Sequence, residues 1–414
     1  MGNMPNDFLL PRVKDVYGRL LNDALIKQAL AYIKSDHERT TSDQIAITEI
    51  PAPPFQEGTR AENFIQRLRD LHLENVTMDD EGNVYGTRPG TGEGPKIFVS
   101  AHLDTVFPGG TDTTVTEKDG ILYAPGISDD TRGLAELLAV IRAFNEANIQ
   151  NQGDIIFGAT VGEEGAGDLR GVKAFFKEHH DIDGFLSIDG PTFNKIIYLG
   201  TGSFRYKVTY KGPGGHSFGA FGTPSATHAL GRAMAEIAEL RTKEEPKTTF
   251  TVGEVHGGTS VNAIAAEASM TVDLRSNDEG ELERLADKFL SIVEKAADDE
   301  NRRWNSNKLI VEIDRFGNRP PASQSRDDII VQIAWASVES IGGNPELSGP
   351  SSTDANHPMS LGIPSVTLGR GGLAGGEHTL EEWYDPKDAF LGVQKNFLTL
   401  LGLVGVKNVS EPLL

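Results

Sequence analysis

Three short apolar runs between residues 97 and 188 most narrow what this chain can fold into. Ile97-Phe98-Val99-Ser100-Ala101, the stretch from Asp154 to Val161, and Phe185-Leu186-Ser187-Ile188 are of strand length and apolar almost throughout, not only at alternate positions. Continuous apolarity over so few residues predicts strands covered on both faces. Between them lie helical stretches, Thr131 to Ala147 and Asp168 to His179. Such alternation predicts an α/β fold, a mostly parallel sheet with helices on both faces. Two amphipathic patterns come first, predicting one helix from about Asp15 to Lys34 and another from Gly58 to Leu71.

The texture changes near Gly200. Phe204–Tyr210, Thr249–Val255, Ala268–Arg275 and Leu309–Ile313 alternate like half-exposed strands, with helices predicted at Ser225–Leu240 and Glu279–Ala297. This is the pattern of a small α+β domain with one open sheet face. Beyond Pro320 the first pattern returns, with a helix at Asp327–Ile341 and a strand at Pro364–Leu368. The expected organisation is a discontinuous α/β domain, residues 1–200 and 319–414, interrupted by a small domain over 201–318. A chain of 414 residues fits two or three domains at roughly 150 residues each.

Lys and Arg number 39 against 60 Asp and Glu, a formal net charge of −21. A surface so acidic repels phosphate, which argues against nucleic acid and anionic membrane as partners. No apolar run approaches the ~18 residues of a membrane span. The opening Met1–Asp7 lacks the basic and apolar regions of a secretory signal, and Asn6 stands where a myristoylation site has Ser or Thr. A cytoplasmic protein is expected. Cysteine is absent, so a metal would have to sit on nitrogen and oxygen.

Acidic and imidazole side chains follow the predicted strands. His102 and Asp104 come after the first, Glu163 and Glu164 after the second, and Asp189 after the third; His378 lies in the glycine-rich loop after Pro364–Leu368, and Asp129 precedes the Thr131 helix. Singly, each has an ordinary role: a helix cap for Asp129, a turn for Asp189 before Gly190-Pro191, a solvated loop for the Glu pair. Together they fall on the sheet edge where ligands bind in open α/β folds. One carboxylate between two divalent ions, with a His and a carboxylate on each, makes a two-metal hydrolytic site. Asp129, Glu164 and Asp189 would bring −3 against +4, leaving one charge for a bridging hydroxide. Asp104 can hold the free imidazole N–H of His102. Glu163, diverging from its neighbour, can serve as general base.

The segments Ser100-Ala-His-Leu-Asp-Thr-Val106, Gly126-Ile-Ser-Asp-Asp-Thr-Arg-Gly133 and Thr160-Val-Gly-Glu-Glu-Gly165 resemble the dinuclear zinc exopeptidase and aminoacylase family, which includes peptidase T, bacterial glutamate carboxypeptidase, carnosine dipeptidase and succinyl-diaminopimelate desuccinylase. The likeness covers almost the whole chain and is nearest in flavour to the peptidase T-like members. It implies one metal on His102, Asp129 and Asp189 and a second on Asp129, Glu164 and His378, with Glu163 as base and a cis bond between Asp129 and Asp130. It further implies that the inserted domain is a dimerisation lid. His216 in Gly214-Gly-His-Ser217 would reach the partner's active site to stabilise the oxyanion, and Asn262 and Arg275 would bind substrate. Asp at position 189 implies an aminopeptidase, dipeptidase or tripeptidase more than a carboxypeptidase or deacylase. This sequence departs from the family in the length between His216 and Pro224, in Ala265 and in Arg370.

Two other classes compete. Gly215-His-Ser-Phe-Gly219 fits the serine-hydrolase elbow, with Asp354 and His378 in order for a triad around Ser217, although Ala220-Phe-Gly-Thr-Pro224 interrupts the strand-to-helix turn such an elbow needs. A non-catalytic binding protein on the same fold would be expected to have lost ligands. The expectation is a cytoplasmic homodimeric exopeptidase for short peptides that uses two divalent ions, zinc first and manganese or cobalt by the same donors. A carboxypeptidase or a deacylase of N-acyl amino acids is the alternative on the same site.

Overall fold

The computed structural model describes residues 8–414 apart from Glu93, so Met1–Asp7 and the targeting features sought there lie outside the described residues. The chain forms two compact units, one up to Gly200 and again from Ser323 to Leu414, the other Thr201–Ala322. The second unit ends at Ala322 and not at 318, because the strand Ile310–Arg319 stays paired with Gly202–Lys211 as far as the Ser203–Arg319 pair.

The first unit holds an eight-stranded sheet in the order Glu74–Met78, Val84–Arg88, Asp154–Thr160, Lys96–His102, Gly184–Gly190, Ser365–Gly369, Lys195–Ile197, Glu346–Ser348. Its four central strands, from Asp154–Thr160 to Ser365–Gly369, run parallel. Successive side chains of a strand point to opposite faces. Ile97, Val99 and Ala101 accordingly enter one apolar cluster with the helices Thr131–Glu146 and Phe390–Val404, while Phe98 enters another with Phe175, Phe176 and Phe185. Phe98 stacks on Phe175 with ring centres 3.8 Å apart, and a β-carbon at Gly158 would sit 2.5 Å from its ring, so the neighbouring strand needs glycine there. The parallel arrangement puts the ends of all four central strands, His102, Thr160, Gly190 and Gly369, at one edge.

The predicted helix over 15–34 is two helices, Pro11–Asn22 and Ala24–Ser35. Asp23 breaks it: its backbone is extended and its carboxylate accepts from the N–H of Leu25 (2.9 Å) and Ile26 (3.2 Å) as an N-cap. A third helix, His37–Thr48, has no counterpart in the sequence reading. Its inward face is polar apart from Ile47, with Gln44 donating to the Ile127 carbonyl at 2.7 Å and Thr48 meeting Thr131 at 2.8 Å, so hydrophobic periodicity carries little trace of it. The C-terminal helix Phe390–Val404 was also missed. It is apolar nearly all round, being buried nearly all round.

The second unit is a four-stranded antiparallel sheet in the order Thr248–Gly257, Glu267–Ser276, Gly202–Lys211, Ile310–Arg319. Ala268, Met270, Val272 and Leu274 alternate inward, forming one core with the helices Ala226–Ala238 and Glu279–Arg303. Among the described residues no helix is long and apolar enough to cross a membrane.

Removing the ring that fills the second face of the parallel sheet tests this packing. Phe98→Ala should lower the unfolding free energy by about 3–5 kcal/mol, read from urea denaturation.

Candidate metal centre

His102 is the last residue of its strand, and its backbone N–H donates to Asp130 Oδ2 at 3.0 Å. Its Nδ1–H donates to the backbone carbonyl of Asp104 at 2.9 Å, which leaves Nε2 to face Asp129 Oδ1 at 3.1 Å, where without a cation it donates, and Asp189 Oδ1 at 3.8 Å. The Asp104 carboxylate was expected to hold this imidazole, but it stands 3.7 Å from Nδ1. It instead accepts the backbone N–H groups of Glu163 (3.1 Å) and Glu164 (2.9 Å). Asp104 therefore fixes the tautomer with its carbonyl and the glutamate turn with its side chain.

Asp129 precedes Asp130 through a cis peptide bond, as the family resemblance implied. The helix Thr131–Glu146 is capped by Asp130, whose carboxylate accepts from Gly133 N at 3.2 Å, so the Asp129 side chain is not spent on capping. Its loop hangs on Glu382, which accepts from the backbone of Gly126 (2.9 Å), Ser128 (2.8 Å) and Asp129 (3.1 Å). Held this way, Asp129 presents Oδ1 to His102 Nε2 and Oδ2 to His378 Nε2, each at 3.1 Å. His378 Nε2 also lies 2.9 Å from Glu164 Oε1.

Three sets of donor atoms lie within 4.8 Å of one another: His102 with Glu163 and Glu164, His102 with Asp130 and Asp189, and Asp129 with Glu164 and His378. Tetrahedral ligands about 2.0–2.2 Å from zinc sit roughly 3.3–3.6 Å from each other, close to the 2.9–3.8 Å separations found here, and this all-nitrogen-and-oxygen donor set fits divalent ions. Asp130 competes for a ligand's role by position, but its oxygens are taken by His102 N, Gly133 N and the Arg370 guanidinium at 3.2 Å.

The carboxylates crowd in a buried place. Burial alone would raise Asp129; hydrogen bonds from His102 and His378, with Arg370 nearby, more than reverse it and hold it well below the usual range. Burial, with the charges of Asp129 and Asp130, pushes Asp189 well up, and burial pushes Asp130 up to about 8 and Glu382 up to about 7. Asp129 first and Glu164 second push His378 up to about 11. Without a cation, protons balance the charge; a divalent ion does the same work and displaces them.

Asp130, Glu377 and Glu382 were not read from the sequence as part of this place. Glu382, four residues beyond His378, was the legible one had the loop been taken as folding back on itself. Arg370 was noted only as a departure; its buried guanidinium reaches Asp129 Oδ1 at 3.3 Å.

His216 and Asn262 lie in the second unit, where they line a cleft of about 720 Å³ with Gly214, Gly258 and Glu267. His216 Nδ1 accepts from the N–H of Phe218 (3.2 Å) and Gly219 (3.3 Å), so its ring proton resides on Nε2. Arg275 does not line this cleft: it is on the sheet, its Nε donating to Asp273 at 2.6 Å. Ser217 follows a two-residue strand, and the next helix starts only at Ala226, so the serine elbow is absent. Asp354 accepts from Thr160 at 2.6 Å while His378 faces Asp129 and Glu164, so no triad is assembled.

A family model described as peptidase family M20/M25/M40 matches residues 98–400. The uncharacterized protein YqjE of Bacillus subtilis is 28% identical over 354 residues, 81% of this chain and 91% of that protein. A succinyl-diaminopimelate desuccinylase of Methylobacillus flagellatus is 26% identical over 307 residues, 69% of this chain and 78% of its own. Among solved structures, a Staphylococcus aureus tripeptidase superposes with a TM-score of 0.73 at 24% identity, covering 88% of this chain and 97% of that one. Human carnosine dipeptidase 1 gives 0.73 at 15%, covering 92% and 98%. These structures share the fold.

The raised groups give a signed prediction. Between a group's unfolded and raised folded pKa the native state binds the extra proton, so stability falls as pH rises through that window. Through Asp130, Asp189 and Glu382, and then His378, the metal-free protein should lose thermal stability from about pH 5 to pH 8. Added Zn2+ should raise the melting temperature more at pH 8 than at pH 5, as scanning fluorimetry would read.

Proposed function

Since this chain belongs to peptidase family M20/M25/M40, we propose that it is a metal-dependent exopeptidase that hydrolyses amide bonds of short peptides. The observation that carries the reading is the Asp129 carboxylate, which turns one oxygen to His102 and the other to His378. Two divalent ions, zinc first and manganese or cobalt by the same donors, would be held by His102, Asp129 and Asp189 and by Asp129, Glu164 and His378. When bound, the pair supplies Lewis-acid charge beside the scissile carbonyl and eases ionisation of the attacking water.

The remaining work belongs to the chain. Glu163, its backbone fixed by Asp104, takes a proton from the attacking water as the oxygen–carbon bond forms. It returns that proton to the amine nitrogen as the carbon–nitrogen bond breaks. Asp104 keeps the His102 proton on Nδ1, so Nε2 stays free to ligate. His216 of a second copy would present its Nε2–H to the developing oxyanion, which makes a homodimer through the second unit part of the proposal. Asn262 and Arg275 would contact the substrate, Arg275 through the guanidinium nitrogens that Asp273 leaves over.

The preferred substrates are peptides with a free N-terminus, as Asp at position 189 implies by resemblance, met in the cytoplasm. The desuccinylase relatives favour a second reading, removal of an N-acyl group from an amino acid. A panel of dipeptides, tripeptides, C-terminally blocked peptides and N-acyl amino acids, each with and without chelator, decides between them. Hydrolysis of the peptides that chelator abolishes supports the proposal; turnover of the N-acyl amino acids alone supports the second reading, and chelator-resistant turnover refutes both.

Two variants test the roles. Glu163→Gln should keep its metal content by elemental analysis and lose about 100- to 10,000-fold in kcat. His216→Ala should lose about 100-fold in kcat with an unchanged melting temperature.

A further inference from the structure

Arg370 is the least expected group in the centre, and its contacts form a pattern. Its backbone N–H and its Nε both donate to the Gly190 carbonyl, at 2.9 and 3.2 Å. Nη1 donates to the Ser128 carbonyl at 2.6 Å, and Nη2 to Glu377 Oε1 at 2.9 Å. Gly190 follows Asp189, Ser128 precedes Asp129, and Glu377 precedes His378. Each arm of one guanidinium thus reaches a neighbour of a different proposed ligand, and Nη1 also lies against Asp129 Oδ1 itself at 3.3 Å.

We propose that Arg370 is a positioning residue, a buried strut that sets the places of Asp129, Asp189 and His378 before any cation binds. It rests on the two-metal reading above. The strut is itself anchored: the buried Lys395 Nζ donates to the Gly369 carbonyl at 2.7 Å, and Gly371 N donates to the buried Glu136 at 2.7 Å. The backbone on either side of Arg370 is therefore tied to the two long helices beneath the sheet edge. The residue type follows from the geometry. Two carbonyls, Glu377 and the Asp129 and Asp130 carboxylates, spread around it, suit a planar fork with five donors, whereas a lysine ammonium offers one point from which to reach them. The guanidinium does not bind substrate, because its side chain is 4% exposed and every nitrogen is engaged. Its charge also lies against Asp130, which would otherwise be an uncompensated anion beside Asp129.

The test is a Co2+ titration of metal-free wild type, Arg370→Lys, Arg370→Gln and Glu377→Ala, followed by calorimetry and visible absorption. Wild type should take up two equivalents. Both Arg370 variants should lose about tenfold or more in affinity at each position and show altered visible bands, with lysine failing to rescue. Glu377→Ala removes the arm toward His378, together with a long 3.5 Å contact from the Ser128 hydroxyl, and should weaken one equivalent more than the other. Circular dichroism of the metal-free variants monitors folding; should the Arg370 variants not fold, the half-exposed Glu377→Ala decides alone. Wild-type affinity and spectrum in the Arg370 variants, or in Glu377→Ala where that one decides, would overturn the inference. Failure of wild type itself to bind two equivalents would instead overturn the two-metal reading.

Discussion

One carboxylate facing two imidazoles from opposite oxygens is the constraint around which the first unit is arranged. Asp129 can do this only if its backbone is held from outside, since a short loop with its N–H groups pointing inward has no intrinsic reason to stay put. Glu382 satisfies three of those N–H groups, Asp130 takes over the capping of the following helix, and Arg370 takes the Ser128 carbonyl. Each of these is a buried or largely buried polar contact, the kind that is expensive to leave half made. The result is a loop held from several sides, with the Asp129 carboxylate turned to the two imidazoles.

That density of charge explains features elsewhere in the unit that hydrophobic packing does not. The polar inner face of His37–Thr48 supports the same loop from behind, through Gln44 on the Ile127 carbonyl and Thr48 on Thr131. Arg132, wholly buried, pairs with Glu136 at 2.9 Å, and Glu136 in turn holds Gly371 and Asn396. Beneath the sheet edge there is thus a layer of paired ions and hydrogen bonds where a core of this size would ordinarily be aliphatic. Paired in this way, the layer favours one arrangement of the residues above it.

Much of this was legible in the chain. The apolar runs at 97–101, 154–161 and 185–188 gave the parallel strands because residues covered on both faces must be apolar at every position. A parallel sheet then puts the following residues on one edge, so His102, Glu164, Asp189 and His378 could be grouped from their order alone. The helix His37–Thr48 was illegible for the converse reason: three of its four buried positions, Thr40, Gln44 and Thr48, are polar, and periodicity detects only apolar burial. Phe390–Val404 is hidden by being buried nearly all round, with Lys395, Asn396 and Thr399 buried among its apolar residues, which leaves little periodicity to see.

The sequence by itself determined the fold class and which acidic and imidazole side chains share one sheet edge, because strand burial and strand direction are consequences of local pattern. Which oxygen or nitrogen meets which was decided by tertiary structure alone. That Asp104 serves His102 through its carbonyl and the two glutamates through its carboxylate depends on differences of less than an ångström, 2.9 against 3.7 Å, that no spacing encodes. Arg370 and Glu382 acquire their partners only when loops more than 240 residues apart in the chain come together. A hydrogen bond is set by direction and distance in space, and position along the chain constrains neither.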